Sequence, residues 1–218
     1  MTEKQRINKM IKGVIFDLDG VITDSMYLHN SVEQKIFSDY GVEISTDELK
    51  EKYAGIPFES TFSKLVKKEF NLEKVSLRKH NDLMKKAKGN IKAVDGAVEL
   101  VKLLSNNGFK LAIGSGSHEE FVELALTELG IINYFDAIVS LDEVTYGKPD
   151  PETFLNAATA LGLHPDECIV IEDGRSGMIA AHKAKMRSIG LVHNLNQDVP
   201  SDIKITSLKD LTLDSFKN

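Results

Sequence analysis

The chain has 218 residues, 42% hydrophobic and 28% charged, with a net charge of -6; this is a globular composition, long enough for one large domain or a domain with an insertion. The negative balance argues against general nucleic-acid binding, so an anionic substrate has to be attracted by local cations. A single cysteine, Cys168, excludes an internal disulfide framework and fits a reducing cytosol. It opens the apolar run Cys168-Ile169-Val170-Ile171 and reads as a core residue. The charged segment 1–10 lacks the apolar centre of a signal peptide, and no stretch of about 18 apolar residues occurs. The expectation is a cytoplasmic monomer with no membrane or nucleic-acid partner.

The first element is Val14-Ile15-Phe16, read as a buried parallel strand that ends in two carboxylates, Asp17 and Asp19, followed at once by Gly20. In an open α/β sheet that end is where ligands bind. Two like charges side by side need a cation or a shared proton, and the pair therefore asks for a hard metal such as Mg²⁺. An EF-hand loop is excluded, because it requires glycine at its sixth position and glutamate at its twelfth, whereas Gly20 is fourth and Tyr27 and Leu28 stand at the far end.

From Tyr27 to about Lys92 the spacing is helical throughout. One helix covers 27–40, with Leu28, Val32, Ile36 and Phe37 on one face and Gly41 as its stop; a second opens with the capping residues Ser45-Thr46-Asp47-Glu48 and breaks at Gly55-Ile56-Pro57. Two lysine-rich helical segments follow at 60–70 and 76–88, and their lysines read as a solvated face. This predicts an all-helical lid, residues 25–92, inserted into an α/β core made of residues 1–24 and 93–218, with short hinges near Thr23 to Ser25 and Ile91 to Val94. Beyond the lid, a helix at 95–107 leads into alternating strands and helices: strand 109–114 and helix 119–129, strand 137–140 and helix 151–161, strand 168–171 and helix 177–185, then strand 188–192 and a shorter tail. Alternation with continuous apolar strands predicts a doubly wound, Rossmann-like parallel sheet.

Polar residues follow each core strand: Asp17 and Asp19; Ser115, Gly116 and Ser117; Lys148 in Gly147-Lys148-Pro149-Asp150; Glu172 and Asp173. Singly, each has a plain structural explanation as a cap or turn. Together at one sheet edge they suggest phosphoryl transfer to an aspartate. A carboxylate attacks phosphorus only when the phosphoryl charge is neutralised, and Mg²⁺ between the Asp17 and Glu172-Asp173 pairs, with Lys148 as a second cation, would do this. Ser115 and the N–H groups around Gly116 would cradle the phosphate at a helix N-terminus. Asp19 can protonate the leaving oxygen and then activate water.

These four segments, in this order and with a helical insertion after the first, resemble the four motifs of the haloacid dehalogenase superfamily. The match is to the subfamily that contains phosphoglycolate phosphatase, sugar-phosphate phosphatases and β-phosphoglucomutase. The resemblance implies Asp17 as nucleophile, Asp19 as general acid and base, Ser115, Gly116 and Ser117 as phosphate contacts, Lys148 as charge stabiliser, and Glu172 and Asp173 as metal-side acids. Asp17, the Asp19 carbonyl and Asp173 would contact Mg²⁺ directly. Gly174 departs from the pattern, since relatives often carry serine there, which leaves a hydrogen bond behind the metal site in question.

The function expected is a Mg²⁺-dependent phosphatase acting on a small phosphorylated metabolite through an aspartyl phosphate. A phosphomutase and, in a different class, a phospho-receiver module are the alternatives. His29 matches a hinge histidine found in both mutases and sugar phosphatases, so it does not separate them. Phe58 is expected in a lid loop facing the substrate. In β-phosphoglucomutase the matching loop carries an arginine that holds the second phosphate, and an aromatic cannot make those paired N–H contacts; the residue therefore favours the phosphatase.

Overall fold

The computed structural model describes residues 10–53 and 56–217; residues 1–9 and Gly55, on which the reading of the N-terminus and of the second helix's break partly rest, lie outside them. The chain divides into two compact units, Met1–Asp24 with Lys92–Asn218, and Ser25–Ile91.

The first unit is built on six parallel strands in the order β3-β2-β1-β4-β5-β6. They are β1 (Gly13–Phe16), β2 (Lys110–Gly114), β3 (Ala137–Val139), β4 (Cys168–Glu172), β5 (Arg187–Leu191) and β6 (Ile203–Ile205). The central strand β1 lies between β2 and β4, with Phe16 in register with Ile113 on one side and Ile171 on the other. The three strands therefore end within a residue of one another at one common edge, β1 at Phe16, β2 at Gly114 and β4 at Glu172. Side chains alternate across a strand. Ile15, Ala112 and Val170 share one buried face with Phe154, Ala157, Ala180 and Ala181, which belong to the helices α7 (Glu152–Ala160) and α8 (Arg175–Lys183). Val14, Phe16, Leu111, Ile113, Ile169 and Ile171 point the other way and are equally buried. Burial on both faces is why these strands are apolar at every position rather than at alternate ones. Helices α5 (Ala97–Asn106) and α6 (Glu119–Glu128) complete the alternation.

Among the described residues the second unit contains helices and no strand: α1 (Met26–Asp39), α2 (Thr46–Lys52), α3 (Phe58–Leu65) and α4 (Leu72–Ala87). The Ser45 hydroxyl caps α2 by accepting from the Glu48 N–H at 3.0 Å, as the sequence predicts. Its interior is a cluster of Val32, Ile36, Phe37, Phe58, Phe62 and Val75, with the Phe62 ring 5.3 Å from both Phe37 and Phe58. Among the described residues no helix is long and apolar enough to cross a membrane.

The structure corrects three expectations. Helix α4 begins a turn earlier than expected, because the Asn71 side chain accepts from the Lys74 N–H and supplies the cap. The tail after β5 contains a sixth strand, β6, paired with β5 through Ile189↔Ile203 and Leu191↔Ile205. Phe58 is not in a loop: Pro57, fixed at φ -54°, is the N-cap of α3 and Phe58 its first residue. The ring is 4% exposed, packed on Phe37 and Phe62 with the Lys79 ammonium 4.7 Å from its centroid. Its surface is committed to the lid interior, so the expectation that it meets a substrate is withdrawn.

Candidate active site

Asp17 continues the β1–β4 ladder by one residue, its N–H donating to the Ile171 carbonyl at 2.9 Å, and then its side chain leaves the sheet edge almost wholly buried. Lys148 meets it from the loop before α7. The lysine Nζ donates to Asp17 Oδ1 at 2.7 Å and to Glu172 Oε1 at 2.9 Å, and lies 4.8 Å from the centre of the Phe154 ring. One ammonium thus bridges the acids that end two adjacent strands.

Two glycines make room for the carboxylates. Gly20 turns the chain after β1 at φ +88°, and a Cβ there would stand 2.1 Å from Asp173 Oδ2. At Gly177, in the first turn of α8, a Cβ would stand 1.7 Å from Glu172 Oε1. Any side chain at either place would displace an acid of the cluster. The Gly174 N–H donates to Glu172 Oε2, so the backbone at that position supplies a contact to the acid without a serine hydroxyl.

After β2, Ser115 is fully buried. Its N–H donates to the Val139 carbonyl, and its Oγ accepts from the Ser117 N–H at 2.9 Å. The Ser117 hydroxyl donates to Asp19 Oδ2 at 2.7 Å, so Ser117, expected on the phosphate, has a partner within the cluster. Gly116 lies between them with open space where a Cβ would be. His29 and Phe58 belong to the lid unit, where His29 sits half-buried in the first turn of α1.

Carboxylate oxygens of Asp17, Glu172 and Asp173 lie within 4.8 Å of one another. Burial, reinforced by Glu172 and Asp19 and opposed by Lys148, raises the Asp17 pKa to about 7. Burial, then the charges of Glu172 and Asp17, raises Asp173 to about 8. Burial by itself would lower the Lys148 value, but the two carboxylates it bridges outweigh that and hold the ammonium above the usual lysine range. Three carboxyl groups that resist ionising together, with one lysine between two of them, form a set of hard oxygen donors that fits a divalent cation such as Mg²⁺. The Asp19 carboxylate is outside this set, turned to Ser117.

Comparison with known proteins finds relatives over most of the chain. The curated hexitol phosphatase B of Escherichia coli is 29% identical over 94% of this chain and 96% of its own length. A phosphorylated carbohydrates phosphatase of Thermotoga maritima is 30% identical over 85% of this chain and 88% of its own. Among solved structures, a β-phosphoglucomutase from Clostridium difficile superposes with a TM-score of 0.80 at 28% identity, covering 94% of this chain and 95% of that one. The family pattern described as haloacid dehalogenase-like hydrolase matches residues 14–191. Because that match runs from the second residue of the central strand to the last of β5, through all four clustered segments, the chain belongs to the haloacid dehalogenase-like hydrolases and is an enzyme of that family.

Proposed function

We propose that this hydrolase is a phosphatase for a small phosphate monoester, a sugar phosphate or a compact relative, working through an aspartyl phosphate on Asp17. The observation that carries the reading is Lys148 held between Asp17 and Glu172 at hydrogen-bond distance from both. A nucleophilic carboxylate needs a fixed cation beside it when the group it attacks is itself anionic. The named phosphatases among the relatives support the same reaction class.

In the first step an Asp17 oxygen bonds to phosphorus as the bond from phosphorus to the ester oxygen breaks, and the Asp19 carboxyl gives its proton to the departing oxygen. In the second step Asp19, now a carboxylate, takes a proton from water while that water attacks phosphorus, which releases inorganic phosphate and restores Asp17. Lys148 stabilises charge on the transferring group throughout. The Ser115 hydroxyl hydrogen and the Gly116 N–H hold phosphoryl oxygens. Asp17, Glu172 and Asp173, with the Asp19 carbonyl, are the residues that would hold Mg²⁺, whose charge would neutralise phosphate oxygens when bound.

Hydrolysis is favoured over mutase chemistry by the phosphatases named among the relatives, and the segment Ile56-Pro57-Phe58-Glu59 carries no arginine of the kind a mutase uses for a second phosphate. The test is β-glucose 1-phosphate with a catalytic amount of the 1,6-bisphosphate, alongside a panel of sugar phosphates. Phosphate release that is lost in EDTA and restored by Mg²⁺ is the expected result. Glucose 6-phosphate formed faster than phosphate would overturn it.

A further inference from the structure

We propose that Glu152 is a positioning residue for Lys148, its carboxylate clamping the loop that carries the lysine. From Val144 to Pro151 the chain has neither helix nor strand, so its backbone groups need partners from elsewhere. Glu152, the first residue of α7, reaches back and accepts from the N–H groups of Thr145 at 3.0 Å and Tyr146 at 2.8 Å, one on each carboxylate oxygen. Those two N–H groups hold its pKa below the usual glutamate range. On the far side of the lysine, the Lys183 ammonium of α8 donates to the Pro149 carbonyl at 3.0 Å, and Asp150 accepts from the Glu152 N–H at 3.0 Å. Lys148 is therefore held between two tied-down stretches. Phe154, two residues further along α7, lies beside its ammonium. One turn of α7 thus fixes both the start of the loop and the surroundings of the lysine head.

An acid at the start of a helix is commonplace and would by itself mean only favourable capping. Capping, however, does not require the carboxylate to turn back and bind two successive N–H groups six and seven residues upstream. The consequence lies in precision: a long flexible side chain has to deliver its charge between Asp17 and Glu172, and a displacement of about 1 Å in such a group can cost on the order of 100-fold in rate.

The experiment combines Glu152→Ala and Glu152→Gln with wild-type and Lys148→Ala backgrounds. In the wild-type background Glu152→Ala should lower kcat by about 10- to 100-fold with little change in KM, and Glu152→Gln, which keeps one acceptor oxygen, by about threefold. In the Lys148→Ala background the same Glu152→Ala change should cost less than about twofold, since the residue it positions is gone. Equal losses in the two backgrounds would overturn the proposal. The kinetic arm rests on the phosphatase reading; a second arm does not. Acetylation of Lys148 by acetic anhydride, followed by peptide mass spectrometry, should be slow in the wild-type protein and several-fold faster in both Glu152 variants, with far-UV circular dichroism unchanged. Lys148 as protected in Glu152→Gln as in wild type would refute the clamp even if no substrate is ever found. A wild-type protein inert toward every phosphate ester would sink the phosphatase reading alone.

Discussion

In the core unit, Asp17, Glu172 and Asp173 are packed together where β1 and β4 end, with Lys148 between two of them; in the lid, Arg78 pairs with Asp39 and Asp82, and Lys52 with Glu48, all at positions about a third or more open to solvent. Pairs of the second kind are screened by water, contribute little and tolerate exchange. Like charges gathered out of water are costly, and a fold keeps them only where the surroundings or a bound cation compensate. The buried charges of the core unit mark the candidate site, whereas these lid pairs lie near solvent and the lid's cohesion comes from its aromatic interior.

The contrast can be broken most directly at Asp17. Asp17→Asn should fold normally yet lower phosphate-ester turnover by about 10⁴-fold or more, because an amide is no nucleophile; retained turnover would remove Asp17 from the mechanism. Lys148→Ala should cost about 10²- to 10³-fold in kcat, measured with the same substrate at saturation. No single exchange among Lys52, Arg78 or their lid partners should approach either loss.

A smaller effect is expected in stability. Without metal, Asp17 and Asp173 keep their protons in the fold up to about pH 7 and 8, whereas in the unfolded chain such groups release them near pH 4. The native state then binds more protons than the unfolded one across that window, so stability must fall as pH rises from about 4 to 8. Thermal melts in EDTA should show a midpoint that declines between pH 5 and 8, Mg²⁺ should flatten the decline, and Asp173→Asn should raise the metal-free midpoint at pH 8. A flat profile in EDTA would mean that the acids are not in conflict. The smallest effect belongs to the lid. Phe58→Leu should cost about 1 kcal/mol through lost packing, a drop of about 2–4 °C in Tm, and leave the order of preference among sugar phosphates unchanged.

How far the sequence could be read follows the same division. The strand ends were legible because a buried parallel strand is apolar at every position and stops where a polar residue begins; Asp17 and Lys148 meet although 131 positions separate them, since each follows a strand of one sheet. The lid was legible as helical but not in detail. The Pro57 start of α3 and the Asn71 cap are single-residue signals, easily outweighed by the apolar spacing around them. β6 has only Ile203-Lys204-Ile205, too short for a pattern, and exists because β5 offers it an edge. The reach of Ser117 to Asp19 across 98 positions, and that of Glu152 back to Thr145 and Tyr146, depend on side-chain direction, which spacing along the chain does not encode. An acid directly after Pro151 was the available hint for Glu152.

The lid leaves the core unit and returns to it through a stem: the Asp24 N–H donates to the Lys92 carbonyl at 2.9 Å, the Val94 N–H to the Ile22 carbonyl at 3.0 Å, and Thr23 bridges Ala93. Entry and exit are therefore fastened side by side before the excursion begins, and the sheet experiences the insertion as one closed loop. The entropic penalty of closing a loop grows only logarithmically, about 0.6 kcal/mol for each doubling of its length. A helical insert of quite different size could be spliced at this stem at small cost to the sheet, so the placing of the acids after β1 does not depend on how long the chain between Asp24 and Lys92 is.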